Sequence, residues 1–177
     1  MSLRGDYIMS NEFKDWCSNF SDEQKKNYEL CMKYPILIPK NVWTGKEVKD
    51  YDYEYTMLDF IPDGWRIAFG EEWAKEVQDA INELPKDNRD EIYITQLKEK
   101  FGQFRQYFNC YTDKLNAVVC KYEDLSIKTC IRCGNSATKV NTGWISSFCD
   151  NCAKETMGFG DFVDIDEWIE GDYIGNN

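Results

Sequence analysis

The 177-residue sequence contains no histidine, and this absence excludes several classes of site. Without imidazole there is no Ser-His-Asp or Cys-His catalytic arrangement, and no zinc site that needs a histidine ligand. Long apolar runs are also missing, since stretches such as 36–38 and 117–120 fall far short of the roughly 20 residues in a membrane helix. The sequence therefore predicts neither imidazole catalysis nor a membrane span.

Basic residues are too few to balance the acidic ones, with 21 Lys and Arg against 32 Asp and Glu and a net charge of −11. This global charge opposes binding to nucleic acid phosphates. The first residues lack the apolar segment of a secretory signal, which predicts a cytoplasmic protein whose cysteines bind metal or stay reduced. With 42% hydrophobic residues the chain is expected to fold around a core.

The strongest pattern is a pair of CxxC motifs separated by fifteen residues, formed by Cys130, Cys133, Cys149 and Cys152. Two residues between thiolates allow each pair to hold one side of an ion, and Gly134 suits the tight turn of the first knuckle, Cys130–Gly134. The second knuckle is Cys149–Ala153. Because histidine is absent, the predicted site is all-sulfur, tetrahedral and closed, as in structural Zn²⁺ sites. A one-iron electron-transfer centre is the alternative, and a dithiol redox pair is a third interpretation.

The other four cysteines, Cys17, Cys31, Cys110 and Cys120, lie in predicted helices or beside apolar runs. Free cysteine behaves as a small apolar residue and is often buried. We therefore expect buried thiols at these positions rather than nucleophiles.

In the N-terminal half, helical spacing of apolar residues predicts a short helix over 10–20, with Phe13, Trp16, Cys17 and Phe20 on one face. Ser21 and Gln24 form a capping box that starts a second helix, which ends near Tyr34 before Pro35. Aromatic residues at alternate positions then predict one irregular strand, formed by Tyr51, Tyr53, Tyr55 and Phe60.

In the second half, a turn at Pro62–Gly64 precedes a predicted helix that ends at Pro85. The runs 92–95 and 104–108 predict an antiparallel hairpin around Phe101 and Gly102. Thr112 or Asp113 caps a third helix. The predicted fold class is α+β, with helices packed on a small antiparallel sheet and a C-terminal zinc ribbon-like module.

The chain divides by composition into three parts: a body over 1–128, a knuckle pair over 129–154 and a tail over 155–177. The tail carries seven acids and no base, mixed with apolar residues. Candidate binding residues in the tail are Asp161, Phe162, Asp164, Asp166, Glu167 and Trp168. Those in the hairpin are Gln96, Lys98, Glu99, Lys100 and Arg105, for which a solvated hairpin with cross-strand ion pairs is the competing interpretation.

No catalytic residue is assigned, because paired acids, a Gly-rich phosphate loop and HExxH are all missing. The prediction is a protein that is not an enzyme. The competing hypothesis is an enzyme whose acids, with Lys98 or Arg105, act on phosphate substrates together with magnesium.

Several motifs occur in a recognisable order: PDGWR at 62–66, QxKEKFG at 96–102, CxxCG at 130–134, GWI at 143–145 and CxxC at 149–152. This order resembles a group of uncharacterised bacteriophage and prophage proteins, and the likeness covers roughly residues 34–154, including Trp43-Thr44-Gly45. The resemblance implies phage origin, a host cytoplasmic location and a zinc ribbon-like C-terminal part; it brings no established activity.

These observations predict a phage-encoded zinc-binding protein that binds a host or phage protein. Its acidic tail could stand in for phosphates and occupy a basic groove on a nucleic-acid-handling or anti-phage defence enzyme. The alternative is a zinc-ribbon accessory protein that binds nucleic acid through the knuckles and through Lys98, Lys100 and Arg105.

Overall fold

The computed structural model of the chain describes residues 18–156, 158 and 160–170. The helix predicted over 10–20 lies outside these residues for most of its length, as do Cys17 and the last seven residues of the tail. In the described part of the chain, no helix has the length and apolar character needed to cross a membrane.

Helix α1, Asp22–Lys33, begins and ends where the sequence predicts. Ser21 Oγ accepts a hydrogen bond from the Gln24 N–H (3.1 Å), and Gln24 Oε1 accepts one from the Ser21 N–H (2.9 Å). These two bonds form the predicted capping box and satisfy two N–H groups that have no partner within the helix. A short 3₁₀ turn, Pro35–Leu37, follows and buries Ile36 and Leu37.

The strand predicted from the alternating aromatics of residues 51–60 is wrong. Tyr53 adopts a positive φ of 65°, which breaks the extended backbone. The rings instead pack on one another, with the centroids of Tyr51 and Tyr53 4.7 Å apart and those of Tyr51 and Tyr55 5.8 Å apart. A 3₁₀ turn, Met57–Phe60, ends the segment.

Three helical segments run in succession from Asp63 to Asn82: α2, Asp63–Trp65, a π-helical turn, Arg66–Gly70, and α3, Glu71–Asn82. The predicted turn at Pro62–Gly64 is therefore the start of a helix, in which Pro62 supplies a fixed φ at the N-cap position. The predicted apolar face of α3 is buried. A one-turn helix, α4, Lys86–Arg89, comes next.

Strands β1, Ile94–Lys100, and β2, Gln103–Phe108, form the predicted antiparallel hairpin. Lys100 pairs with Gln103, which leaves a two-residue turn. Both turn residues have positive φ, 54° at Phe101 and 76° at Gly102, as a type I′ turn requires. Helix α5, Asp113–Ile127, is capped by Thr112, whose Oγ1 accepts from the Leu115 N–H (3.1 Å).

The main core lies between the hairpin, α3 and α5. Phe104 is fully buried at its centre, and its ring centroid lies 5.5 to 6.1 Å from those of Trp65, Phe69 and Trp73. Gln106 is buried as well, and its side chain accepts from Trp73 Nε1 (2.6 Å) and donates to the Val119 carbonyl (3.2 Å).

The C-terminal part forms a separate small antiparallel sheet of three strands, in which the first strand along the chain lies between the other two. Its elements are β3, Lys139–Asn141, β4, Ser146–Phe148, α6, Asp150–Glu155, β5, Phe162–Asp164, and α7, Ile165–Glu170. Val140, Ile165 and Trp168 form a second core beneath it. The predicted α+β class is confirmed, with small antiparallel sheets and a cysteine cluster compatible with a zinc ribbon.

Candidate metal centre

The four cysteines of the CxxC motifs meet at one point. The sulfur atoms of Cys130, Cys133, Cys149 and Cys152 all lie within 4.8 Å of one another, and those of Cys133 and Cys149 are 3.6 Å apart. Four sulfurs placed about 2.3 Å from a central ion at tetrahedral angles are about 3.8 Å from each other. The cluster therefore has the size and donor set of a closed four-thiolate metal site.

The first knuckle is a tight turn stabilised by its own backbone. The Cys130 N–H donates to the Asn135 carbonyl (2.7 Å), and the Gly134 N–H donates back to the Cys130 carbonyl (3.0 Å). Gly134 has a φ of 79°, in the region that L side chains rarely adopt. The sequence-based role of Gly134 is thus confirmed.

The second knuckle uses the start of a helix. Cys149 is the N-cap residue of α6 and Cys152 lies in its first turn, so that the backbone brings both thiols to the same side. Phe148 and Ala153 pack beside the thiols, and Phe162 of the tail contacts Phe148 with a ring separation of 5.6 Å. This apolar surrounding limits the access of water to the sulfurs.

The electrostatics of the metal-free cluster favour a bound cation. Burial raises the pKa of the Cys130 thiol, but the N–H groups of Cys149, Cys133 and Arg132 outweigh that effect and lower its pKa to about 7. Burial, followed by hydrogen bonds with the other three thiols, raises the pKa of Cys152. Four crowded thiols cannot all ionise alone, whereas a divalent cation offsets the repulsion among thiolates.

The knuckle pair is joined to the body through the PDGW segment. The Gly64 N–H donates to the Ile131 carbonyl (2.9 Å), and Trp65 Nε1 donates to the Thr129 carbonyl (3.1 Å). A Cβ on Gly64 would overlap the Cys130 carbonyl, and a Cβ on Gly134 would lie 2.6 Å from the Gly64 carbonyl oxygen. Two glycines far apart in sequence thus allow the two backbones to touch.

For the cysteines outside the cluster, the prediction of buried thiols is only partly right. Cys31 is fully buried as expected, and burial raises the pKa of its thiol to about 11. Cys110 and Cys120 are exposed, contrary to the prediction of buried thiols. Cys120 lies on the outer side of α5, because the apolar stripe of that helix passes through Leu115, Val119 and Tyr122 instead.

The hairpin residues predicted as a binding surface do not share one face. Gln96, Lys98, Lys100 and Arg105 lie on the outer face of the hairpin, as the strand alternation and register require. Glu99 lies on the other face, where its Oε1 accepts from the Gly102 N–H (2.7 Å) and stabilises the turn. Arg105 forms an ion pair with Glu123 (3.1 Å).

The tail residues also divide into two groups. Asp161, Asp164, Asp166 and Glu167 are exposed, and Asp164 pairs with Lys139 (2.6 Å). Trp168 is only 9% exposed in the second core, and Phe162 is half-buried against Phe148. The two aromatic side chains therefore fix the tail to the sheet, while the carboxylates face solvent.

Two exposed tryptophans form a feature that residue patterns did not single out as a site. Trp43 is 89% exposed and Trp144 is 73% exposed. Each follows an asparagine whose Oδ1 accepts from the tryptophan N–H, Asn41 at 3.0 Å and Asn141 at 2.8 Å. Trp144 and Phe148 also line an open cavity of about 530 Å³. An asparagine shortly before each tryptophan is a local signal for a turn, and a residue in a turn is often exposed.

Comparison with known proteins adds no assignment, since no family model, curated protein or solved structure matches this chain. The four clustered cysteines can hold a metal ion, and that statement depends on their geometry alone.

Proposed function

We propose that this chain is a phage-encoded, non-enzymatic zinc-binding protein that binds a host macromolecule. The observation that carries the proposal is the closed cluster of four thiols, which leaves no free coordination position for a catalytic water. Zinc there has a structural role: it holds the two knuckles together and fixes the surfaces that surround them. The order of motifs supports phage origin.

The metal itself is tested by elemental analysis of the purified protein. The proposal expects about one zinc per chain, a colourless solution and release of zinc by a thiol-reactive reagent. A red protein with visible absorbance and bound iron would contradict zinc and support the one-iron alternative.

The docked tail supports a role for negative charge in binding. Phe162 and Trp168 are occupied within the fold, so the groups available to a partner are the carboxylates of Asp161, Asp166, Glu167 and Glu170. They stand on a supported strand and helix rather than on a free chain, which lowers the entropy lost on binding. Such a surface fits a basic groove of a nucleic-acid-handling or defence enzyme, where it would replace phosphates.

The partner is tested with charge variants rather than with a deletion, because removing the tail would also uncover Val140. The variant replaces Asp161 and Asp166 by Asn, and Glu167 and Glu170 by Gln. A matched control makes the same changes at four exposed acids elsewhere, Glu54, Asp87, Glu91 and Asp124.

We expect the wild type and the control to capture one protein from host lysate, and added DNA to release it. The tail variant should lose that protein while keeping its zinc. Equal capture by the tail variant would show that the tail carboxylates do not bind the partner.

An acid and a base of the hairpin, which the enzyme hypothesis would use on a phosphate substrate, have partners within the fold. Glu99 holds the hairpin turn and Arg105 pairs with Glu123. These contacts explain both side chains without a substrate, which supports a binding protein over an enzyme. A hydrolytic activity on phosphate esters that disappears in Glu99→Gln, in a protein that still holds zinc, would contradict this view.

A further inference from the structure

The outer face of the β1–β2 hairpin differs in character from the rest of the molecule. Here "outer face" means the three cross-strand pairs whose side chains point away from the main core. These pairs are Gln96 with Tyr107, Lys98 with Arg105, and Lys100 with Gln103. All six side chains are exposed or partly exposed, whereas Leu97 and Phe104 on the opposite face are buried.

The outer face carries positive charge, and none of its own six side chains is acidic. Arg105 is paired with Glu123, but Lys98 and Lys100 form no ion pair with any residue in the described ranges. Glu99, the one acid in β1, lies on the other face. A locally positive strip is thus present on a chain whose net charge is −11.

Aromatic rings stand at both ends of this strip. Tyr107 is 37% exposed beside Lys98, whose Nζ lies 5.1 Å from the ring centroid. Phe101 is 55% exposed at the turn, and Lys100 Nζ lies 5.3 Å from its ring centroid. At about 3.4 Å per residue along the strands, the distance between the two rings equals the length of a few nucleotides in an extended single strand. Exposed Trp144 is next in sequence to Ile145, which packs on Gly102.

We propose that the outer face of the hairpin binds single-stranded nucleic acid, with bases stacked on Tyr107 and Phe101 and phosphates on Lys98 and Lys100. Single strands expose base faces that can stack on aromatic side chains, and their phosphates follow a cationic strip. In a duplex the base faces are already stacked, and an acidic peptide offers charge but few flat rings. Lys98 donates to the uncharged Gln96 Oε1 (2.6 Å), and neither lysine has an acidic partner in the described ranges. Lysines without an ion pair, next to exposed rings, therefore favour a single strand. This surface is distinct from the acidic tail of the proposed function.

The test is fluorescence anisotropy of labelled oligothymidylate and oligouridylate with the zinc-loaded full chain. Two or three phosphate contacts predict that log K falls against log salt with a slope of about −1.4 to −2 between about 50 and 200 mM. The double variant Lys98→Gln, Lys100→Gln should weaken binding at low salt about tenfold or more and reduce the slope to between zero and about −0.7. Tyr107→Ala should weaken binding about tenfold with the slope unchanged, because stacking involves no counterion release.

A matched control removes two exposed lysines from the loop before residue 51, as Lys46→Gln with Lys49→Gln, and should bind like the wild type. Zinc content shows that each variant is folded. Four results would overturn the proposal: no binding at low salt, an equal loss in the control, equally tight binding of duplex DNA, or displacement by polyglutamate as effective as by unlabelled oligonucleotide. The last result would instead identify the outer face as a site for an acidic protein. Tyr107→Ala and the double lysine variant are independent, so either one tests the hairpin if the other fails to fold.

Discussion

At Gly64 the body meets the first knuckle with no space for a side chain. A Cβ there would overlap the carbonyl of Cys130, which belongs to the backbone and cannot rotate away. We expect Gly64→Ala to destabilise the protein by about 3 kcal/mol, as overpacking of a rigid contact does, and to loosen the metal site. Thermal unfolding and the rate of zinc loss to a chelator measure both effects.

Gly70 provides the matched control, because it also lies in a helical segment but has room. Its nearest neighbour to an added Cβ is Arg66 Cγ at 3.4 Å, the stem of a flexible side chain. Gly70→Ala should leave zinc release unchanged and stabilise the helix by about 0.5 to 1 kcal/mol. If both variants behaved alike, the close approach at Gly64 would have no energetic importance.

Gln106 is a buried polar side chain whose hydrogen bonds link two elements. It accepts from Trp73 on α3 and donates to the Val119 carbonyl on α5. Gln106→Leu keeps a similar volume but leaves the buried indole N–H without a partner, at a cost of about 1 to 3 kcal/mol. Denaturant unfolding measures this loss, and Gln96→Leu on the exposed side of β1 should stay within about 0.5 kcal/mol of wild type. A neutral Gln106→Leu would show that water replaces the lost partner.

At the scale of elements, the tail is fixed by Trp168 on α7. Trp168 packs with Ile165 and Val140, and β5 pairs with β3. We expect Trp168→Ala to weaken this docking by about 3 kcal/mol. Limited proteolysis near residues 156–161 should then be faster, while zinc stays bound.

The neighbouring Ile169 is the control for this variant, since it is 37% exposed on the same helix. Ile169→Ala should alter proteolysis little. Unchanged cleavage in Trp168→Ala would mean that the strand pairing of β5 is sufficient to hold the tail.

Elements with local signals could be predicted from the sequence. The capping box at Ser21, the cap at Thr112 and the apolar face of α3 all depend on residues within a few positions of each other. The hairpin followed from β-branched and aromatic runs around a glycine. These features needed no tertiary information, and the structure confirms them.

Features that depend on distant contacts could not be predicted. The alternating tyrosines of residues 51–55 have the local pattern of a strand. In the fold their rings pack on one another, and Tyr53 leaves the extended region of backbone conformation. The helix that starts after Pro62 also carries the contact of Gly64 with Ile131, which is remote in sequence. For the metal centre, spacing identified the ligands, but not the contact of the first knuckle with the body.

For the whole molecule, the metal site and the main core should unfold together. Trp65 connects them, because its ring lies in the main core while its Nε1 donates to the Thr129 carbonyl. We expect removal of zinc, or Cys152→Ser, to lower the unfolding temperature of the entire chain and to alter the near-ultraviolet circular dichroism of the buried tryptophans.

Cys120→Ser is the control, since Cys120 is an exposed thiol outside the metal cluster. It should unfold at the same temperature as the wild type and retain zinc. A body that melts at an unchanged temperature after zinc removal would contradict the coupling through Trp65.

Stability of the zinc-loaded protein should also depend on pH. Under the proposed function the folded form binds zinc through thiolates, whereas unfolded cysteines have a pKa of about 8.5 and carry protons at neutral pH. The unfolded state thus binds more protons, so stability rises with pH up to about that value and falls on acidification. Unfolding curves over a pH series, with and without zinc, measure the effect; a flat response would indicate that the metal does not contribute to folding.

The contact between Gly64 and Gly134 joins the metal site to the body, so the supply of zinc should affect how much folded protein a cell contains. Under the proposed function the folded chain binds zinc, and its stability then increases by about 1.4 kcal/mol for each tenfold rise in free zinc above the dissociation constant. Copies made under zinc shortage should therefore populate opened forms and be degraded faster. We expect the steady-state amount of protein to follow zinc supply at constant synthesis, which pulse-chase measurements in zinc-limited and zinc-replete cells would reveal. The supply of zinc would then set the amount of this protein in the cell.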